Sequence, residues 1–499
     1  MNKIKILKNY NDLNKLRLKN LKKKIGLCHG SFDIVHLGHL RHLIESKKKV
    51  DILVVSITSD AFIKKGPNQP HNKELARLEY LSHFEFVDFL FLDKNLTSVN
   101  VLKNLKPNFY FKGLDYKKKD ISGNLSKELS ILKKNNGKLK ITNTHLMSST
   151  KILNNIIHSW KPEQISKLNF VNNNYNFEKI YKIINDLSKI SLTLIGEPII
   201  DKYIFCDLIG VTSKSPSMSF LQKNIEQFDG GVLAVAKILS LFVKKIDLLT
   251  YGNQKILSSS FREYKNIKIN SLEKKMDIQT KTRIINANRS EKIIQLTNYK
   301  DYSFSKLQIK NIHNKLKKIN FKNTIICDYG INFFENSILS FIESLRVKKY
   351  LNIQTNSINY GNNLFTKYNN FHYLCLDENE WRLGLHKKTL DPNLVKKISN
   401  YNKNKFYALT LGKNGSILYK NGVEYKSPVF EDRVIDTTGC GDAYFALSSM
   451  LLMTLKPNDR NLIPFLSNIY AGMHSLHIGN KVTTSKNEYL KYLKSLLNF

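Results

Sequence analysis

Residues Asp436 to Asp442 read DTTGCGD and run straight into an apolar stretch, AYFALSSMLL. Gly439 and Gly441 let the backbone turn so that the N–H groups of residues 439 to 441 converge at a helix N-terminus. That is a cradle for the charge developing on a transferred phosphoryl group. Asp442, beside it, is placed to accept the proton of an attacking hydroxyl. A glycine turn with aspartate helix caps uses the same letters, but two aspartates bracketing a double-glycine turn ahead of an apolar helix favour phosphoryl chemistry. A second constellation, CHGSFDIVHLGHLRHL, sets His36 and His39 in HxGH spacing after an apolar strand, at the start of a helix. Imidazoles three residues apart on a first turn face one side, and the backbone N–H groups there favour an anion. This suits neutralising a nucleotide α-phosphate during in-line attack. A helix entry with surface histidines, or a metal pair, has the same spacing.

Both constellations need strands that end where they begin. IGLCHGSFDIV, DILVVSIT, VDFLFLD and FYFKG are buried apolar runs separated by amphipathic stretches such as ELARLEYLSHF, the pattern of a parallel α/β sheet. The signal fades after Ile157. Residues 158–189 are polar and Asn-rich with one amphipathic helix, FEKIYKIINDLSKI, and read as a linker. A longer alternation follows from SLTLIGEPIID through KIDLLTYG, NTIICDYG, KKYLNIQTNS, FHYLCLDENE and FYALTLGKNG to the DTTGCGD segment. Ligands in such sheets bind beyond the carboxyl ends of the strands. The expected organisation is therefore α/β throughout: a basic extension over 1–24, a first domain over 25–157, the linker, and a second domain over 190–499.

Composition narrows the function. At 499 residues the chain is long for one core. Its opening stretch lacks the continuous apolar region of a secretory signal, and no run reaches the roughly 20 apolar residues of a membrane helix. The expectation is a cytoplasmic protein without a membrane partner. The five cysteines are scattered, with no metal-ligand spacing, and read as reduced thiols. A formal charge of +38 invites a polyanion reading. The lysines, however, are spread along the chain amid Asn and Ile, so a solvated basic surface is expected rather than a specific nucleic-acid partner. Homo-oligomerisation is left open.

The first region resembles the HxGH nucleotidyltransferase family, and within it the cytidylyltransferase-like heptose-phosphate adenylyltransferases. GSFDIVHLGHLRHL, DILVVSITSD, KKGPNQP, KPNFYFKGLDY and HLMSSTKILNN carry the likeness in order. The resemblance implies that Gly30, Ser31 and Phe32 form the loop under a triphosphate, and that His36 and His39 stabilise the pentacovalent phosphorus. It gives Lys65 and Lys112 the role of supplying positive charge and makes Asp115 a ligand-loop residue. Ser148, Ser149 and Thr150 would donate to phosphate oxygens. ATP would be the substrate, with CTP an alternative, and Mg2+ would bridge the triphosphate.

The second region resembles the ribokinase-like (PfkB) carbohydrate kinases, whose DTxGAGD signature appears here with Cys440 in place of Ala. The likeness implies phosphate binding by Asp436, Thr437, Gly439, Cys440 and Gly441 and catalysis by Asp442. Asp201 in LIGEPIIDKY becomes a sugar contact, and Gly230 and Gly231 admit the sugar to the backbone. Thr410, Gly412 and Gly415 belong to a nucleotide loop, and Glu380 in DENE orients Mg2+ indirectly. Ala234 stands where the family usually has Asn. Arg283 has two readings, as a contact for a phosphate already on the sugar or as an ordinary strand arginine.

A kinase that makes a sugar 1-phosphate and a nucleotidyltransferase that consumes one encode consecutive steps. The pairing is similar to the bifunctional heptose 7-phosphate kinase/heptose 1-phosphate adenylyltransferases that supply ADP-heptose for lipopolysaccharide, although those place the kinase first. A cytidylyltransferase and kinase for another phosphorylated alcohol, or a regulatory binding protein with a degenerate kinase half, are the alternatives.

Overall fold

The apolar runs become strands of two separate sheets. In the computed structural model, residues 5–63, 70–95, 97–113, 124–142, 160–287, 291–299 and 302–497 are described. The chain divides into one unit of Met1–Lys161 with Asn487–Phe499, and another of Pro162–Lys486. Among the described residues no helix is long and apolar enough to cross a membrane.

The first unit is built on β1 (Lys5–Leu7), β2 (Ile25–Gly30), β3 (Ile52–Thr58), β4 (Phe89–Asp93), β5 (Phe109–Lys112) and β6 (Lys138–Ile141), in the order β1-β4-β3-β2-β5-β6. All pairings are parallel, with Ile25 opposite Ile52 and Gly26 opposite Phe109. Helices on both faces explain why β2 and β3 read as continuous apolar runs. Leu27, Leu53, Val54 and Val55 have no exposed surface, each burial being worth roughly 1.5–3 kcal/mol. Residues 1–24 are not a mere extension. β1 pairs with β4, and the helix Tyr10–Lys19, started by an Asn9/Asp12 capping box, buries Leu13 and Leu16. Two leucines at i, i+3 suffice to dock a helix that is otherwise lysine-rich.

The second unit holds β7 (Ser191–Gly196), β8 (Pro198–Val211), β9 (Met218–Gly231), β10 (Lys245–Thr250), β11 (Ile267–Ser271), β12 (Gln279–Asn286), β13 (Lys292–Asn298), β14 (Thr324–Asp328), β15 (Lys349–Ile353), β16 (Tyr373–Asp377), β17 (Phe406–Thr410), β18 (Ser416–Lys420) and β19 (Val423–Ser427). Nine of them form the sheet β11-β10-β7-β14-β15-β16-β17-β18-β19, parallel except at β18 and β19. The remaining four make a separate sheet, β13-β12-β8-β9. This small sheet departs from the single sheet expected. Its strands are largely exposed, and apolar residues such as Leu208, Ile209, Leu221, Ile225 and Leu296 lie among those exposed positions, so burial imposes no clean alternation that the sequence could show.

The linker expectation for 158–189 also fails. Helices Pro162–Asn174 and Phe177–Asp186 belong to the second unit, burying Leu168, Val171, Ile180 and Ile184. Gln164 donates to the Val429 carbonyl at 2.8 Å, and Lys179 meets Asp459 at 2.7 Å. The asparagines that gave the segment its linker composition occupy the exposed faces.

Candidate active sites

In the first unit β2 ends at Gly30 and the helix Leu37–Lys47 begins seven residues later, so the intervening loop must be held rigidly to present anything. Phe32 adopts φ +48°, in the left-handed region. Buried Arg77 fixes the turn, its guanidinium donating to the carbonyls of Ser31 (2.5 Å) and Asn72 (3.0 Å) and pairing with Asp60 at 2.7 Å. Tyr80 donates to the Phe32 and Asp33 carbonyls. The Asp33 carboxylate accepts from the backbone of His71 and Asn72 at 2.9 and 2.8 Å.

His36 caps the helix, its Nδ1 accepting from Gly38 N–H at 3.0 Å. His39 stacks on it with ring centroids 4.1 Å apart. The HxGH spacing thus brings both imidazoles together at the helix entry, beside Gly30, Ser31 and Phe32. Lys112 behaves differently from the expected displayed cation. It is buried over the Tyr110 ring with its ammonium 3.8 Å from Glu128. A β-strand end packed on both faces draws the lysine inward, and Glu128 compensates its charge. Burial, with the Lys112 charge, lowers neighbouring His42 to about 4. Lys65, Asp115, Ser148, Ser149 and Thr150 lie outside the described residues.

The second site forms where the ends of β15, β16 and β17 meet the start of the helix Cys440–Thr454 and the small sheet. Gly439 caps that helix at φ +83°; a Cβ there would sit 2.5 Å from Asn480 Oδ1. A cavity of about 300 Å3 opens beside it, lined by Asp201, Gly231, Lys281, Arg283, Tyr329, Gln354, Asp377, Glu380, Thr410, Thr437, Gly439, Gly441 and Asp442 among others. A side chain at Gly441 would meet nothing within 4 Å. The cradle is narrower than expected. The Cys440 N–H donates to the Thr437 carbonyl at 3.1 Å, which leaves Gly439 and Gly441 as its donors.

Asp442 Oδ1 accepts from Tyr329 Oη at 3.0 Å and Gln354 Nε2 at 2.8 Å. Burial pushes this carboxyl up to about 7, while Tyr329, Lys281 and Gln354 favour its ionised form. Such a group exchanges a proton near neutrality. Asp436, assigned to phosphate, is already saturated. Lys292 (2.6 Å) and Thr438 bond one oxygen, and Tyr203 (3.0 Å) and Gly479 N–H (2.9 Å) the other. Although burial opposes ionisation, these partners hold it down at about 2. Asp436 therefore shapes the loop rather than meeting a ligand.

Asp201 and Arg283, read separately from the sequence, are partners 2.5 Å apart. Gly230 gives room to the Asp201 carboxylate, and Gly231, at φ +57°, to the Glu197 carbonyl, so the glycine pair serves the protein's own contacts. Ala234 is buried in the helix Val232–Ser240, where an amide side chain would replace core packing. Glu380 forms a capping box with Asp377 and accepts from Thr355 N–H at 3.3 Å; burial and the Asp377 charge push it well above the usual carboxylate range. Thr410 and Gly412 line a second cavity of about 460 Å3 with Asp377, Arg382 and Lys388, while Gly415, at φ +87°, closes the turn below.

Sequence reading missed Arg77, Tyr80, Tyr329, Gln354 and Lys281. Arg77 and Tyr80 carry a signal, at i, i+3 in ELARLEY, because an arginine on the apolar face of a helix needs a buried partner. Tyr329, in NTIICDYG, directly follows strand β14. Glu197 pins its turn by accepting from the backbone of Tyr329, Ile331 and Phe333 at 2.7, 2.9 and 3.0 Å.

Comparison with known proteins follows the same division. Residues 27–156 match the cytidylyltransferase-like family, and residues 195–452 match the pfkB family of carbohydrate kinases. Bifunctional protein HldE of Campylobacter jejuni subsp. doylei is 42% identical over 108 residues, 21% of this chain and 23% of that protein. Bifunctional protein HldE of Aliarcobacter butzleri is 35% identical over 143 residues, 28% and 30% respectively. The chain thus covers less than a third of the length of these relatives. Phosphofructokinase-2 from Escherichia coli superposes with a TM-score of 0.49 at 13% identity, over 62% of this chain and 99% of that one.

Proposed function

The chain belongs to the pfkB family of carbohydrate kinases and carries a cytidylyltransferase-like domain ahead of the kinase, and from that premise we propose that it is a bifunctional sugar-activating transferase. Its second unit phosphorylates the anomeric hydroxyl of a heptose phosphate with ATP. Its first unit transfers a nucleotidyl group from ATP to a sugar 1-phosphate, yielding ADP-heptose and pyrophosphate. The observation that carries the kinase half is Asp442, a buried carboxyl pushed up to about 7 at a helix start, where Gly439 and Gly441 line the same cavity. HldE-named relatives with 35–42% identity support the heptose reading.

In the kinase step Asp442 takes the proton of the attacking hydroxyl, held toward it by Tyr329 and Gln354. The glycine N–H groups meet the charge on the transferred phosphoryl group. The cavity of Thr410 and Gly412 receives the nucleotide, with Arg382 and Lys388 near its polyphosphate. Among the described residues no cluster of three or more His, Cys, Asp or Glu converges to chelate a bare metal ion. The residues present fit a hydrated Mg2+ brought in on the nucleotide, which Asp377 and Glu380 would reach through water. When bound, it would neutralise phosphate charge.

In the nucleotidyl step the stacked His36 and His39 face the α-phosphate, and the loop held by Arg77 positions it. The sugar phosphate is itself the nucleophile, so no covalent intermediate is needed. Mass spectrometry of products after incubation with ATP or CTP and a panel of sugar phosphates tests the proposal. A sugar bisphosphate and an ADP-sugar are expected. Products from CTP alone would move the assignment to another phosphorylated alcohol.

A further inference from the structure

Strand β12 sends two cations into the 300 Å3 cavity, Lys281 and Arg283. Two residues apart on one strand, they share a face. Their circumstances differ. Arg283 is spent on Asp201 at 2.5 Å and lies 5.4 Å from the Tyr203 ring centroid. Lys281 is largely withdrawn from solvent, yet among the described residues it makes no hydrogen bond or ion pair.

The carboxylates around it are already served by other donors. Asp442 accepts from Tyr329 and Gln354, Glu380 from backbone N–H groups, and Asp201 from Arg283. An ammonium held in a cavity without a hydrogen-bonded partner is costly, and an anionic ligand removes that cost. Burial accordingly lowers the ammonium's pKa, with Asp201 opposing. The same cavity is lined by Gly439 and Gly441 at the start of the helix Cys440–Thr454, with open space over Gly441, so the anion that fits is a phosphoryl group.

Resting on the kinase reading above, we propose that Lys281, not Arg283, is the substrate-contacting cation of the kinase site, binding phosphoryl oxygens. The phosphoryl group has two sources, the one being transferred or one already on the sugar. The test compares wild type, Lys281→Met and Lys281→Arg with ATP and either heptose 7-phosphate or the unphosphorylated heptose, beside a calorimetric titration of the full chain with inorganic phosphate.

Loss of one charge-assisted contact predicts an effect of roughly 10- to 100-fold. A fall in kcat with both acceptors at unchanged KM assigns the contact to the transferred group. A rise in KM confined to the phosphorylated acceptor assigns it to the sugar's own phosphate. In either case Lys281→Arg recovers part of the loss, and Lys281→Met weakens phosphate binding. Kinetic constants and phosphate affinity of Lys281→Met all within twofold of wild type would overturn the proposal. A wild-type protein inactive with every acceptor sinks the kinase reading instead, and the phosphate titration then decides Lys281 alone.

Discussion

The two candidate sites would meet the same chemical problem, negative charge on phosphoryl oxygens, from opposite construction plans. In the first unit the candidate site spans Gly30 to His39, a continuous run of ten residues at the end of one strand. Distant residues only brace it, Arg77 and Tyr80 by gripping its carbonyls. In the second unit, the cavity draws Asp201, Lys281, Tyr329, Gln354, Glu380, Thr410 and Asp442 from across the unit. The first site is a local motif with a scaffold, whereas the second is an assembly in which the recognisable motif supplies only one wall. Histidines that are stacked and capped need little else to be positioned. A buried carboxylate needs donors, and those come from other strands.

That contrast is sharpest when each site is disabled alone. Asp442→Asn should lower sugar phosphorylation about a thousand-fold while nucleotidyl transfer is retained, measured by separate product assays. Its stability supplies the control. A carboxyl raised to about 7 from its ordinary value of 3.8 contributes stability fully present below the unfolded value and lost as pH rises through 7. The variant should therefore melt above wild type at pH 8, and the gain should disappear near pH 4. Conversely, His39→Ala should cost nucleotidyl transfer on the order of a hundred-fold and leave the kinase untouched. Simultaneous loss of both activities in either variant would break the comparison.

Bracing differs too. Arg77→Met leaves the partly exposed Asp60 and two carbonyls without their donor, and leaving a buried polar group unsatisfied costs about 1–3 kcal/mol. Unfolding of the first unit, followed by pulsed hydrogen exchange, should shift while the second unit's protection stays constant. Smaller again is the pH response. With Asp442 as the proposed base, which acts ionised, kinase kcat/KM should fall about tenfold per pH unit below roughly 7. Cys440→Ala should change kinase rates least, within about twofold, since the residue's N–H already serves Thr437 and its side chain holds no ligand-facing donor. A large effect there would mean the cradle depends on the thiol.

The local plan explains what was legible. HxGH after IGLCHG fixed a strand, a turn and a helix entry together, and DTTGCGD did the same for the helix Cys440–Thr454, because each is read by backbone geometry over a few residues. The small sheet and the helix Pro162–Asn174 were hidden, the first by half-exposed strands without a clean alternation and the second by asparagines on its outer face. Arg283 illustrates the limit most clearly. TKTRII presents two cations of equal standing, and only the proximity of Asp201, 82 residues away, neutralises one of them.

By itself, then, the amino-acid sequence determined two α/β domains and the order of their motifs, and it singled out His36, His39 and Asp442 as candidates. Tertiary structure alone decided which charges remain available. It buried Lys112 against Glu128, saturated Asp436 with Lys292 and Tyr203, paired Asp201 with Arg283, and left Lys281 in the cavity. The physical reason is that a charge's role depends on its partner and its distance from water, and long-range packing sets both.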